Sequence, residues 1–201
     1  TGKYPEKIFE FFIKKEFKYL QFIPATDRKS NKITDFSITP YTYGDFLCEV
    51  FDLWWNNGYP FVSVRFFDNI LEVLLGLEVS SCTFKKRCGE YLVVEHNGDI
   101  YPCDFFVMPE FKLGNIYTDD IEKIYEKLKN FGKMKEIQPE ECKNCQWNFI
   151  CNNGCLWQRY VKNGNLNGLD YLCSAYKKFF TYSYEKFKIL SEKILIKNVK
   201  E

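Results

Sequence analysis

The sequence predicts an α/β segment over residues 1–76 followed by an α+β, cysteine-rich segment over 77–201, built from a β-hairpin and helices. Three observations carry this expectation. Apolar residues alternate between helical and strand-like periods through the first third of the chain. Gly76 marks a change of character, after which cysteines appear and local order becomes irregular. Finally, eight of the nine cysteines fall between Cys82 and Cys173. Helices alternating with strands favour a parallel sheet.

Taken in order, Pro5–Lys15 reads as a helix, with Ile8, Phe9, Phe11 and Phe12 as its apolar residues, and leads to a strand at Tyr19–Pro24. Ala25–Asp35 reads as a polar loop. Thr39-Pro40 is an N-cap and first-turn pair for a helix from Tyr41 to Trp55, in which Phe46, Val50, Leu53 and Trp54 recur at helical spacing. Asn56-Asn57-Gly58 ends it. A strand at Phe61–Arg65 and a helix at Asp68–Leu75 complete the first segment. In the second, Tyr91–Glu95 and Asp99–Cys103 flank Asn97-Gly98, which predicts a hairpin with a two-residue type I′ turn. A helix over Asp119–Asn130, capped by Thr118 or Asp119, precedes the cysteine-rich stretch Glu141–Cys173. The last helix, Ser174–Asn198, carries Tyr176, Phe179, Phe180, Tyr184, Phe187 and Leu190 and is expected to dock by one face.

Composition narrows the function. The formal net charge of +1 gives no reason to invoke nucleic acid or an acidic membrane surface. No apolar run approaches the roughly 18 residues of a transmembrane helix. The start, Thr1-Gly2-Lys3-Tyr4-Pro5, is not a signal peptide and lacks Met, which suggests a piece of a longer, cytoplasmic protein. A reducing cytoplasm favours metal ligation over disulfides. The aromatic content of 19% reads mainly as core packing.

The cysteines stand at 82, 88, 103, 142, 145, 151, 155 and 173, and the dense part reads C-x2-C-x5-C-x3-C from Cys142 to Cys155. Thiolates are soft ligands for zinc and iron–sulfur clusters, and eight of them make two four-cysteine sites. With His96 the only histidine, any zinc sites would be nearly all thiolate. Spacing alone leaves clusters and zinc knuckles both open. Trp147, Phe149, Ile150 and Trp157 flank the knuckle and could exclude water from it. Cys48, within a predicted helix, reads as a small buried apolar residue.

Cys82-x5-Cys88, a hairpin, Cys103, the C-x2-C-x5-C-x3-C run and Cys173 together resemble the SPASM domain of radical S-adenosylmethionine (SAM) enzymes. Shorter stretches resemble one branch, the anaerobic sulfatase-maturating enzymes: Gln21-Phe22-Ile23-Pro24, Arg65-Phe66-Phe67-Asp68-Asn69, Gly98-Asp99-Ile100-Tyr101-Pro102-Cys103-Asp104-Phe105-Phe106 and Leu113-Gly114-Asn115-Ile116. The resemblance covers essentially the whole chain.

The resemblance implies that residues 1–76 are the last helix–strand units of a partial TIM-like barrel and 77–201 a SPASM auxiliary iron–sulfur domain including the C-terminal helix. It implies two [4Fe–4S] clusters, one on Cys82, Cys88, Cys103 and Cys155, the other on Cys142, Cys145, Cys151 and Cys173, with zinc as a possible substitute. It implies oxidation of a cysteine or serine of a sulfatase, or another peptide substrate, to Cα-formylglycine, with Asp104 at the position of the base, an auxiliary cluster accepting an electron, and an external electron donor. Phe22 and Ile23 would contact SAM. The SAM-binding motif C-x3-C-x2-C is absent, so SAM and a third [4Fe–4S] cluster are expected in a missing N-terminal part, and this chain alone is predicted inactive. The competing readings are another peptide-modifying SPASM enzyme, forming a thioether or crosslink, and a non-catalytic zinc-knuckle binding module. Without the resemblance, Asp104 reads as an Asx-turn residue.

Overall fold

The computed structural model of the chain describes residues 2–200, with side chains for 2–197. It consists of helices and three small sheets. Helix α1 (Pro5–Lys14) opens on a proline, whose fixed φ suits a first turn. Strand β1 (Tyr19–Leu20) pairs in parallel with β4 (Ser63–Val64), the parallel arrangement the alternating pattern predicts. Both strands are shorter than predicted. Gln21–Pro24 and Phe61–Val62 have no ladder partner, so only two residues of each stretch pair. The predicted loop 25–35 holds a small hairpin, β2 (Arg28–Lys29) with β3 (Lys32–Ile33). Its turn residues Ser30 and Asn31 both take positive φ, which polar composition alone does not signal.

Helix α2 (Pro40–Trp55) is capped as expected: the Thr39 side chain accepts from the Thr42 N–H at 3.1 Å. Asn56 and Asn57 leave it in the left-handed region. Helix α3 (Arg65–Leu74) starts three residues earlier than predicted. Asp68, the expected start, instead accepts from the Ser63 hydroxyl and ties the first turn to β4.

The predicted hairpin is β5 (Val93–Val94) with β6 (Asp99–Tyr101), and an unpredicted third strand, β7 (Gly114–Asn115), pairs with β6. Its turn differs from the prediction. Gly98 N–H donates to Glu95 O at 2.8 Å, and within the loop His96–Gly98 only Gly98 has positive φ, at 84°. This is a three-residue loop closed by a left-handed glycine, not a type I′ pair. Helix α4 (Ile121–Lys133) is capped by Asp120, whose carboxylate accepts from Glu122 N. Asp119, one of the predicted caps, accepts from Asn115 N instead. Short helices α5 (Glu140–Lys143), α6 (Asn148–Cys151) and α7 (Leu156–Asn163) follow, and α8 (Cys173–Lys200) ends the described chain.

Helix α8 returns to pack along α2. The shared core is aromatic: Phe67 stacks on Phe179 at 5.3 Å, and Phe51 meets Phe187 at 4.9 Å. Each such fully buried ring contributes on the order of 2 kcal/mol by removal from water. Trp54 Nε1 donates to Val62 O at 2.8 Å and fixes α2 against the segment entering β4. Cys48 is half-buried against this core, away from the other cysteines, as its helical position suggests. A second cluster, with Phe106, Phe131, Leu156, Trp157 and Val161, packs around Cys103. These two cores bring together the loops that carry the remaining eight cysteines.

Candidate metal centres

All nine cysteines are free thiols. Eight of them line two cavities. The first, of about 20 Å³, is lined by Cys142, Cys145, Cys151 and Cys173 together with Trp147, Asp170, Tyr176 and Phe180. Cys142 lies in α5, and Cys145 follows in a turn whose N–H donates to Cys142 O at 3.1 Å. Cys151 ends α6 and Cys173 opens α8. Trp147 closes one side, packed against Phe180 and Tyr184 at 5.8 and 5.2 Å.

The second cavity, of about 290 Å³, is lined by Cys82, Cys88, Cys103 and Cys155, and by Asp104, Tyr91, Arg65, Gln158 and the segment Gln21–Pro24. The loop of Cys82 is held by buried Asn69, whose Oδ1 accepts from Ser81 N at 2.7 Å. Cys88 N–H donates to Gly132 O at the end of α4. Cys103 follows β6. Cys155 N–H donates to Asp170 Oδ2 at 2.9 Å.

Local backbone conformation separates Cys151 from Cys155. On a continuous helix, residues four apart share a face. Here Asn152, Asn153 and Gly154 all take positive φ, of 47°, 59° and 61°. Asparagine and glycine are the residues that tolerate this region. Helix α6 therefore breaks after Cys151, and Cys155 lines the other cavity. Asn152 Nδ2 also donates to Phe84 O at 2.6 Å, joining this turn to the Cys82–Cys88 loop.

Burial holds most of these thiols neutral. It raises Cys142 and Cys155 to about 11, and Cys103, Cys151 and Cys173 also rise. Cys82 is the exception, lowered to about 6 chiefly by a hydrogen bond from Cys88, whose own thiol is raised in return. Among the described residues, no three His, Cys, Asp or Glu side chains converge tightly enough to hold a single metal ion. The donor set is soft, buried and free of disulfides, which fits a thiolate-bound metal group.

The other expected site residues gather at the second cavity. Asp104 is exposed at its edge, and its Oδ1 accepts from the Cys103 thiol at 3.1 Å. Among the described residues no backbone N–H donates to its carboxylate, so it closes no Asx-turn. Phe22 and Ile23 both line this cavity; Phe22 packs on Phe46, while Ile23 is 63% exposed. Of the expected apolar shield, Trp147 lines the first cavity and Ile150 is buried in the main core, whereas Phe149 is half exposed. Trp157 belongs to the second core, stacked on Phe105.

Four buried polar residues in the cysteine-rich region carry no mark in the sequence. Arg159 is fully buried and donates to the carbonyls of Asn153, Met134, Ile137 and Lys135. Asp170 accepts from Cys155 N and from Leu172 N at 2.6 Å, and burial raises its carboxyl to about 6. Lys135 is 1% exposed. Gln158 is buried with Nε2 on Thr26 Oγ1 at 2.8 Å, and its Oε1 has no partner. Charged and amide side chains are mostly exposed, so nothing in the sequence marks these as interior.

Residues 82–146 match the model of the SPASM family, described as an iron–sulfur cluster-binding domain. The cysteine-type anaerobic sulfatase-maturating enzyme of Clostridium perfringens (strain 13) is 38% identical over 194 residues, covering 92% of this chain and 52% of that enzyme. The serine-type enzyme of Bacteroides thetaiotaomicron is 35% identical over 202 residues, covering 90% and 49%. Over nearly its whole length the chain is similar to the SPASM-bearing region of anaerobic sulfatase-maturating enzymes. The fold agrees. A solved structure of native anSMEcpe with bound AdoMet and a Cp18Cys peptide superposes with a TM-score of 0.84 at 35% identity, covering 96% of this chain and 55% of that one. The chain thus spans about half the length of the anaerobic sulfatase-maturating enzymes it matches. Among the described residues, no helix is long and apolar enough to cross a membrane.

Proposed function

We propose that this chain is the auxiliary-cluster portion of a cytoplasmic radical SAM oxidoreductase that converts a cysteine or serine of a sulfatase to Cα-formylglycine. The observation that carries this reading is the division of eight thiols between two cavities, the larger of which holds Asp104 beside Cys103. Cys82, Cys88, Cys103 and Cys155 would hold one [4Fe–4S] cluster, and Cys142, Cys145, Cys151 and Cys173 the other. The iron–sulfur description of the matching family favours clusters over zinc knuckles. When bound, such clusters supply a one-electron acceptor within a protein interior.

The chain's own residues would do the rest. The second cavity is large and polar enough to admit a peptide side chain, and the peptide-bound relative supports that use. Asp104 would take the proton from the target thiol or hydroxyl. Its present partner is the Cys103 thiol proton, which a metal-bound thiolate no longer carries. The carboxylate would then be free to act as a general base. Phe105 and Phe106 pack against Trp157 beside Cys103 and keep water from that side. The parallel β1–β4 pair supports a place for residues 1–76 at the end of a partial barrel, whose Gln21–Pro24 segment would reach SAM through Phe22 and Ile23. SAM cleavage and the external electron donor would belong with the parent's other half, so this chain alone should release no 5′-deoxyadenosine.

The test is Asp104→Asn in the full-length parent. The variant should keep its iron and its SAM cleavage and lose peptide oxidation by about 10²-fold or more. Wild-type formylglycine yield would exclude Asp104 as the base.

A further inference from the structure

Charge inside the cysteine-rich region does not balance. Lys135 and Arg159 are both essentially fully buried, and Asp170 is the one buried carboxylate among the described residues. Asp170 forms a salt bridge with neither cation. It feels both through space, and its oxygens are committed to Cys155 N and Leu172 N. Arg159 spreads its donors over four backbone carbonyls. Lys135 has less. Its ammonium donates to Cys82 O at 2.5 Å and Thr83 O at 2.8 Å, and its third donor has no oxygen partner among the described residues. A buried cation without a salt-bridge partner is costly, and this one is held on the backbone of the loop that carries Cys82.

Resting on the cluster reading above, we propose that Lys135 is the buried counter-charge of the metal group held by Cys82, Cys88, Cys103 and Cys155, retaining that group and favouring its reduced form. Four thiolates around a metal group leave net negative charge, and each added electron increases it. A fixed ammonium held by the backbone of the ligand loop, with no carboxylate to neutralise it, stabilises the more negative state. Lys135 is a positioning and electrostatic residue in this account: it is placed to touch neither substrate nor reacting atoms.

The test uses the anaerobically reconstituted chain in a Cys142→Ala background, which isolates the centre held by Cys82, Cys88, Cys103 and Cys155. Wild-type Lys135, Lys135→Met and Lys135→Arg are compared by iron and sulfide content and by reductive titration. Lys135→Met should shift the reduced-to-oxidised ratio at a given potential at least tenfold toward oxidised, about 59 mV for a one-electron couple, or lose the iron of this centre; Lys135→Arg should restore either property. A Lys135→Met protein with wild-type iron and midpoint would overturn the inference. So would a Lys135→Arg protein that fails as Met does, since that marks a side chain needed only for its shape and hydrogen bonds. A Cys142→Ala chain with Lys135 intact that takes up no iron would overturn the cluster reading, and this inference with it.

Discussion

The two thiol-lined cavities share a ligand type and differ in almost everything else. The Cys142 set lies in a small, mostly apolar space between α5, α6 and α8, closed by Trp147, Tyr176 and Phe180. The Cys82 set lies in a cavity many times larger, with Asp104, Tyr91, Arg65 and Gln158 on its walls. An almost wholly apolar lining shields a metal group from water, whereas a larger space with more polar groups on its walls has room for a substrate side chain. Under the proposed function, the substrate would meet the Cys82 side, and the other would store or transfer charge. The chain keeps the two sides apart with three left-handed residues, Asn152–Gly154, and ties them together with Asp170 and Arg159.

That contrast makes graded predictions. The largest effect is expected at the element common to both sides. Arg159→Met leaves four carbonyls without their donor, and should destabilise the chain by about 3–5 kcal/mol in urea unfolding. Next is the shell of the closed cavity. Trp147→Ala should cost about 3 kcal/mol and speed the loss of iron in air, while the open site keeps its own rate of loss. Below it lies the wall of the larger cavity: Gln158→Leu removes the buried hydrogen bond to Thr26 Oγ1 and should cost about 1 kcal/mol in urea unfolding. Smallest is Tyr91→Phe at the exposed rim, with a stability change within about 0.5 kcal/mol. Equal effects of Trp147→Ala and Tyr91→Phe on iron retention would erase the distinction between the cavities.

What the sequence made legible follows from how local each signal is. The Thr39-Pro40 cap, the helical repeat of Phe46, Val50 and Trp54, and the parallel strand pair depend on neighbours within a few residues or on a simple alternation, and all appear in the structure. Helix α3 begins without any capping side chain, because Arg65 follows directly on β4, so its start carried no mark. The Asn97-Gly98 pair indicated a turn but not its length, which depends on whether Asn97 also turns left-handed. The eight cysteines were legible as a metal set from count and spacing. Their division was not: it depends on the backbone break after Cys151, and came to the sequence only through a family resemblance. Lys135, Arg159, Asp170 and Gln158 are buried by tertiary packing alone, and each looks like a surface residue until the two cores close around it.

The central claim is that eight cysteines form two separate four-thiolate sites. It is tested most directly by anaerobic iron and sulfide analysis of Cys82→Ala, Cys142→Ala and the double variant. The account predicts that each single variant loses about half of the wild-type iron and that the double variant loses nearly all of it. A double variant that still holds half the iron would put Cys82 and Cys142 in one site and contradict the division.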